Sequence, residues 1–252
     1  MKMSKVQYVV VALLLYVVFL AALMPAWILA YFLPRYSEQP IFLERVQGTV
    51  WKGRASRLIV QPPAKPAVAL KEFEWQILGM PLLQGELGMR FAIADPFYPG
   101  KGTIVFGRKN RVVLKSFAVQ LPASVLSVLA PQLAIWRPGG SLIAHSDDWL
   151  WMNGKMEGNV EVQWQNASTA LVELPTVGSY RVVIHGAESA SQFRVVTLTG
   201  PLSVEVSGQW SQTQGFKFSG YAKATAYASQ LQDLLGLLGR NLGNGVYQIS
   251  FP

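Results

Sequence analysis

The chain has 252 residues, contains no cysteine and carries a formal net charge of +8. Without cysteine it cannot form a disulfide framework, a thiolate nucleophile or a cysteine-ligated metal site. Its Lys and Arg residues occur singly or in short groups, and no basic block alternates with aromatic residues. The composition therefore argues against a nucleic-acid partner.

The first 33 residues contain the most apolar segment of the chain. Residues 8–33 carry no formal charge and are almost all apolar. A bilayer core of about 30 Å is crossed by roughly 20 helical residues, so this length predicts a transmembrane anchor. Lys2 and Lys5 precede the run, which favours a cytoplasmic head of residues 1–7. Because a seven-residue head has nothing to fold, we expect a single-pass membrane protein with residues 34–252 exported.

A cleaved signal peptide is the alternative interpretation of this run. Its apolar core would be about 7–15 residues long and would end at a small-residue cleavage site. The run observed here is longer, and only Ala30 is small among the bulky residues that close it. The basic body could also be attracted to anionic lipid, by about 1 kcal/mol per well-placed cation. Membrane lipid is therefore an expected contact.

Alternation of apolar and polar residues predicts that the rest of the chain is mainly β. Such runs form strands with one buried and one solvent-facing side. Because the strand signals follow one another without intervening helices, they favour an antiparallel sheet over a parallel α/β fold. The clearest runs are 117–121, 160–165, 202–207 and 216–218.

Glycine, proline and asparagine clusters between these runs predict turns. The clusters lie at 99–102, 108–111, 138–140, 153–154, 157–159 and 213–215. Residues 61–66 contain three prolines, which cannot continue a sheet ladder, so an exposed loop is expected there.

Two short helices are predicted within the β-rich body. The first covers 122–129, between a proline suited to a first turn and Pro131. The second runs from about Ala228 to Asn241 with Ser229 as its N-cap. Its leucines recur at helical spacing, which predicts a stripe that covers one face of the sheet. A partner-binding surface is the alternative role for this stripe. The stripe comprises Leu231, Leu234, Leu235, Leu238 and Leu242.

Catalytic motifs are scarce in this sequence. His145, Ser146, Asp147 and Asp148 are adjacent, which suggests a hydrolase, but neighbours on one strand or turn point in different directions. A polar turn is the preferred interpretation. His185 has no second histidine at metal-ligand spacing, and no nucleophile elbow, zincin or phosphate-loop motif occurs. We expect no enzyme activity, no cofactor and no metal site.

Tryptophan and glycine recur together along the body and suggest related hairpin units. Glycines in strands mark bulges or close backbone approach, and large aromatic rings fill the space beside them. The most distinctive stretches, in chain order, are Gly-Thr-Val-Trp-Lys-Gly at 48–53, Trp-x-Ile to Leu-Leu-x-Gly-x-Leu at 75–87, Pro-x-Leu to Pro-Gly-Gly at 131–140, Gly-x-x-x-Gly-Asn-Val-Glu-Val-Gln-Trp at 154–164, Gly-Pro-Leu at 200–202 and Asn-Gly-Val-Tyr-Gln-Ile at 244–249.

In this order, behind an apolar N-terminus, these motifs resemble the type II secretion system protein N family of Gram-negative bacteria. The resemblance covers essentially the whole chain. It implies a non-catalytic, single-pass inner-membrane component with residues 34–252 as a periplasmic domain and inner-membrane lipid as a contact. Such a component assists export of folded periplasmic proteins across the outer membrane, through contacts with other secretion components. The family-motif residues are expected to serve the fold and not chemistry: Gly48, Trp51, Gly53, Trp75, Gly85, Gly158, Trp164, Gly200, Pro201 and Gly245.

A second hypothesis comes from a different functional class. An anchor followed by half-apolar hairpins also resembles AsmA-like proteins, whose curved sheet forms an apolar groove for lipid. On that hypothesis the protein binds or transfers lipid. The expected fold in both cases is mainly β: an N-terminal transmembrane helix followed by a curved antiparallel sheet with one or two short helices.

Overall fold

One antiparallel sheet contains every strand of the described chain. The computed structural model describes residues 5–37, 40–61, 67–187, 190–211, 213 and 215–251. Within these residues, fifteen strands form a single sheet, which confirms the prediction of a mainly β, antiparallel fold. The strands are β1 (Ile41–Glu44), β2 (Gln47–Gly48), β3 (Lys52–Val60), β4 (Val68–Leu78), β5 (Leu87–Ile93), β6 (Gly100–Gly107), β7 (Arg111–Pro122), β8 (Gly139–Met152), β9 (Lys155–Ser168), β10 (Gly178–Gly186), β11 (Ser191–Thr199), β12 (Leu202–Ser211), β13 (Gly215–Ala224), β14 (Arg240–Gly243) and β15 (Val246–Phe251).

Sequential pairing organises the sheet as a long meander. From β3 to β13 each strand pairs with the next one in sequence. The short strands β1 and β2 both pair with β3, while β15 pairs with β13 and carries β14 as the outer strand of a terminal hairpin. Hairpins of this kind need only short connections, so the chain builds the sheet with local contacts.

Ring stacking shows that the sheet is curved. Trp151 lies on β8 and Trp210 on β12, four strands away in the pairing order, yet their ring centroids are only 5.3 Å apart. Neighbouring strands are spaced about 4.8 Å apart, so a flat sheet would separate these rings by roughly 19 Å. The face that carries both rings is therefore concave, as predicted for a curved sheet.

The described helices are short, and the last one packs on the sheet. They are α1 (Lys5–Ala22), α2 (Trp27–Tyr36), α3 (Gly79–Leu83), α4 (Leu126–Leu129) and α5 (Ala228–Leu238), with 3₁₀ turns at Ala123–Val125 and Pro131–Trp136. Three leucines of α5 are at most 2 % exposed and pack with Tyr180 and Tyr247, so the prediction of a sheet-covering stripe is confirmed. They are Leu231, Leu234 and Leu235.

Both ends of α5 differ from the prediction. Its N-cap is Tyr227 in a left-handed conformation, not Ser229. It ends at Leu238 because Gly239 is extended and Arg240 already belongs to β14. Leu242 lies on that strand and is 53 % exposed, so it does not belong to the buried stripe.

The apolar run at 8–33 is divided between two helices, α1 and α2. At about 1.5 Å per residue, the 18 residues of α1 extend roughly 27 Å. No helix among the described residues is both long enough and apolar enough to cross a bilayer. The predicted single-pass anchor, and the inner-membrane localisation with a periplasmic body that was based on it, are therefore wrong. Residues 1–4 of the predicted head lie outside the described residues.

Contacts with the sheet explain why the run breaks at Met24–Ala26. Pro25 has no amide hydrogen, and it forms an isolated bridge with Thr49. The Val50 amide donates to the Met24 carbonyl at 2.9 Å, and the Ala26 amide donates to the Gly48 carbonyl at 3.1 Å. Backbone groups that would continue one helix are thus bonded to the segment between β2 and β3.

Several glycine-rich segments belong to strands and not to turns. The turns at 108–110 and 153–154 are confirmed between paired strands. In contrast, residues 100–102 begin β6 and residues 157–159 lie inside β9, where Gly158 has a φ of 92° and lies opposite a bulge in β8 between His145 and Trp149. Both are corrections, because a glycine within a strand marks an irregular or close-packed position as readily as a turn. Residues 62–66 of the proline-rich segment lie outside the described residues, as does Gln214 of the last predicted turn.

Covering elements at each end of the sheet create its buried clusters. At one end Ala26, from the turn before α2, packs against Ala55 and Trp75. At the other end α5 covers Tyr180 and Leu202. A third cluster is formed by side chains of β4, β5 and β7 and comprises Leu70, Phe91, Ile93 and Val119.

Asp95 is a buried carboxylate that ties a loop to the sheet. It is 5 % exposed and accepts hydrogen bonds from the backbone amides of Lys71, Phe97 and Tyr98 at 2.9–3.2 Å. Burial alone would raise the pKa of this carboxyl group. The three amide donors and the Lys71 ammonium outweigh burial and hold the pKa of Asp95 below its ordinary value.

Replacing Asp95 tests this anchor. Asp95→Asn should lower the free energy of unfolding at pH 7 by about 1–3 kcal/mol, because the amide cannot accept all three bonds. The folded-state pKa is lowered, so the contribution is present above the unfolded value near 3.8 and is lost as the pH falls through the folded value. Urea titrations between pH 7 and pH 3 should show the two proteins converging. Glu173→Gln, at an exposed carboxylate, is the control and should leave the difference from wild type nearly constant.

Gly53 tests the packing next to the helix break. A methyl group on Gly53 would collide with the Trp75 ring, which is 4 % exposed. Gly53→Ala should lower the free energy of unfolding by about 1–3 kcal/mol through overpacking. Gly236 lies within α5 and a methyl group there meets no atom within 4 Å, so Gly236→Ala should stabilise by about 0.5–1 kcal/mol. Urea unfolding should give these opposite signs, and equal signs would refute this account of Gly53.

Candidate functional site

The histidine–aspartate group predicted as a polar turn lies instead on strand β8. His145 Nε2 is 3.4 Å from Asp147 Oδ1, and both side chains are more than half exposed. Ser146 is 1 % exposed, and its hydroxyl donates to the Asn159 carbonyl at 2.8 Å. Strand alternation places the serine on the opposite face from the histidine, so these groups are not arranged as a triad.

The second histidine is also engaged by a neighbouring strand. His185 Nδ1 lies 2.8 Å from the Asn159 amide oxygen. Among the described residues, no group of three or more His, Asp or Glu side chains is placed to hold a metal ion.

Four family-motif residues meet at the helix break. The Trp51 indole donates to the Ala21 carbonyl at 2.7 Å, and the Trp75 indole donates to the Val50 carbonyl at 3.0 Å. Gly48 supplies a carbonyl to Ala26, and Gly53 leaves room for the Trp75 ring. We call residues 48–53 the clamp, because they hold the segment that joins α1 to α2.

A second group lies beneath α5. Trp164 donates to the Gly139 carbonyl at 2.9 Å, and its ring lies 6.3 Å from that of Tyr180. The buried Tyr180 hydroxyl is 3.1 Å from the carbonyls of both Val177 and Leu202, and burial raises its pKa. Gly200 packs directly on the Gly178 backbone, so a side chain on Gly200 would push the two turns apart.

The remaining family-motif residues lie at turns and a bulge. Gly85 follows α3 with a φ of 73°, and Gly245 closes the terminal hairpin beside Asn244 with a φ of 71°. Gly158 lies on β9 opposite the bulge in β8, and the Pro201 carbonyl accepts the Thr225 amide at 2.7 Å. These contacts are with the protein's own backbone. That all ten residues serve the fold stays a prediction, which the Gly53 variant tests in part.

A groove crosses four strands on the polar face of the sheet, with a volume of about 740 Å³. The backbone of the cross-strand row Gly53, Trp75, Phe91 and Gly102 forms its floor. The rings of Trp75 and Phe91 lie on the other face of the sheet. Two polar rows flank this floor. One comprises Arg54, Glu74, Ala92 and Lys101, and the other comprises Lys52, Gln76, Arg90 and Thr103. We call this the cationic groove.

The cations of this groove are exposed and mostly unpaired. Lys52, Arg90 and Lys101 form no ion pair within the described part of the chain, and neither does Glu74. Arg54 donates to the neutral Gln47 amide oxygen at 2.7 and 3.0 Å. Four cations therefore face one carboxylate among the residues that line the groove, so the lining carries a net positive charge.

A second groove on the same face is electrostatically different. It has a volume of about 780 Å³ and lies between β10 and β13. Its Arg194 forms an ion pair with Glu205 at 3.3 Å, and His185 is hydrogen-bonded as described above. The two grooves thus differ in ion pairing: Arg194 of the second groove is paired with a carboxylate, and no cation of the first groove is, within the described residues.

The cationic groove was missed in the sequence because its members are far apart along the chain. They come from four strands between residues 52 and 101 and become neighbours only through strand register. The alternation of charged and apolar residues in β4 indicated a polar face, but not which strands would place their cations together. Asp95 had a local signal, because aspartate before Pro96 often accepts amides in a turn.

Comparison with known proteins gives one match. The family model described as "Type II secretion system (T2SS), protein N" matches residues 39–250. No curated protein and no solved structure matches the chain. The matched region begins just before β1 and ends within β15, so it includes the clamp, the cationic groove and α5. The chain therefore belongs to the type II secretion system protein N family.

Proposed function

We propose that this protein is a non-catalytic component of the type II secretion system. It assists export of folded proteins across the outer membrane through contacts with other secretion components. The family match over residues 39–250 is the observation that carries this proposal. The meander sheet fits a binding role, because it offers extended polar and apolar surfaces and a free outer strand.

The outer strand β14 is the proposed contact edge. All four of its residues are exposed, and it pairs on one side with β15. An edge strand leaves backbone donors and acceptors available for a strand from another protein. At the opposite end of the sheet, α2 packs against β1, so that edge is less open.

Site-specific crosslinking in living cells tests this role. A photo-crosslinking amino acid in place of Leu242 on β14 should capture other type II secretion subunits, identified by mass spectrometry. The same amino acid at Leu198 is the matched control, because that leucine is 40 % exposed on β11, away from the edge. If neither position captures secretion subunits, the result counts against the proposal. If only position 198 captures them, the contact surface includes β11 and not the edge strand β14.

A lipid-binding role is the second candidate, and one observation favours it. The middle of the concave face carries partly exposed rings in contact with one another, including Trp149, Trp151 and Trp210. The Trp149 indole nitrogen is buried, and no acceptor lies within reach of it in the described residues. An amphipathic molecule on this face would supply both apolar contact and an oxygen acceptor.

Lipid analysis separates the two candidates. If this face carries lipid, the purified full chain should retain about one lipid per chain, measured by mass spectrometry after extraction. Trp149→Phe should then reduce the retained amount, because it removes the indole donor and keeps an aromatic ring. Substoichiometric lipid that does not respond to this substitution would eliminate the carrier hypothesis.

A further inference from the structure

We infer that the cationic groove is the docking site for an extended, acidic segment of a partner protein. The inference rests on the proposed function only for the partner being a protein. The charge, width and length of the groove each constrain what can occupy it.

Charge selects an anionic occupant. Lys52, Arg54, Arg90 and Lys101 surround the single carboxylate Glu74, and all five side chains are exposed. Folding brings these four cations together with only one carboxylate among the residues that line the groove. Carboxylates on a partner would neutralise that field, and their attraction would also speed association.

Width selects an extended chain. The two polar rows are two residues apart along each strand, which corresponds to about 6.6–6.8 Å. A helix with its side chains is about 10–12 Å across, so it does not fit between the rows. An extended backbone does, with its side chains directed alternately toward the two rows.

Length selects several negative charges in sequence. Arg54 and Lys101 are three strands apart in one row, which corresponds to about 14 Å. One phosphate or one carboxylate cannot reach cations so far apart. Acidic residues along one extended segment can, at about 3.3 Å per residue.

The floor of the groove argues against single-stranded nucleic acid. Proteins that bind such strands without sequence preference stack bases on exposed aromatic rings. The aromatic residues here, Trp75 and Phe91, are 4 % and 7 % exposed, and their rings pack on the opposite face. The groove offers cations and backbone but no stacking surface.

Binding of a labelled hexaglutamate peptide to the full chain, followed by fluorescence anisotropy, tests the inference. The double substitution Arg90→Gln and Lys101→Gln should weaken binding about tenfold, as expected for two exposed charge pairs. Glu74→Gln should tighten binding about threefold, because it removes the one repulsive carboxylate. A gain cannot result from misfolding, so this variant keeps the test decisive if the double variant is unstable.

A charge-matched control separates the groove from the overall positive charge. Lys109→Gln with Lys155→Gln removes two exposed cations outside the groove and should change the affinity less than twofold. Equal losses in both double variants, or no response to Glu74→Gln, would overturn the inference. So would stronger binding of inorganic phosphate, oligothymidylate or anionic vesicles with the same dependence on the groove residues. Failure here would leave crosslinking to secretion subunits through β14 unaffected, so the two proposals fail independently.

Discussion

Strand register is the constraint on which the rest of this structure depends. Since each strand from β3 to β13 pairs with its neighbour in sequence, one register choice per hairpin decides which side chains share a face. A slip of one residue would exchange the faces of a whole strand. The bulges in β7 around Ser116 and in β8 between His145 and Trp149 preserve the apolar face where strict alternation would otherwise exchange it. Burial by α5 at one end and by the segment around Ala26 at the other then makes the chosen register the stable one.

The two faces of the sheet have separate physical tasks. The concave face supplies the apolar contacts that hold the covering segments, and its aromatic rings contact one another across strands. The opposite face keeps its charged residues in solvent. Some of these charges are paired, as for Arg194 with Glu205, whereas Lys52, Arg90 and Lys101 of the cationic groove form no ion pair within the described residues. Stability and recognition are thus carried by different sides of the same strands.

Local patterns predicted the features that depend on neighbouring residues. Alternation placed the strands, and Asn153-Gly154 specified a hairpin turn, which the positive φ angles at both residues confirm. The failures have a common physical cause, which is contact between distant segments. The apolar run at 8–33 looked continuous because the backbone bonds that interrupt it come from residues 48–50. The cationic groove likewise depends on the register of four strands, which no single stretch of the chain encodes.

The clamp has a mechanical consequence that follows from where its residues lie. The same short segment that bonds to the carbonyls of Ala21 and Met24 also forms one wall of the cationic groove, through Gly48, Lys52 and Gly53. A displacement of α1 would therefore pull on that wall. In the reverse direction, a segment seated in the groove would stiffen the anchorage of α1. The coupling free energy between the position of α1 and binding in the groove must be the same in both directions. A change at either of these sites is therefore transmitted to the other through the clamp.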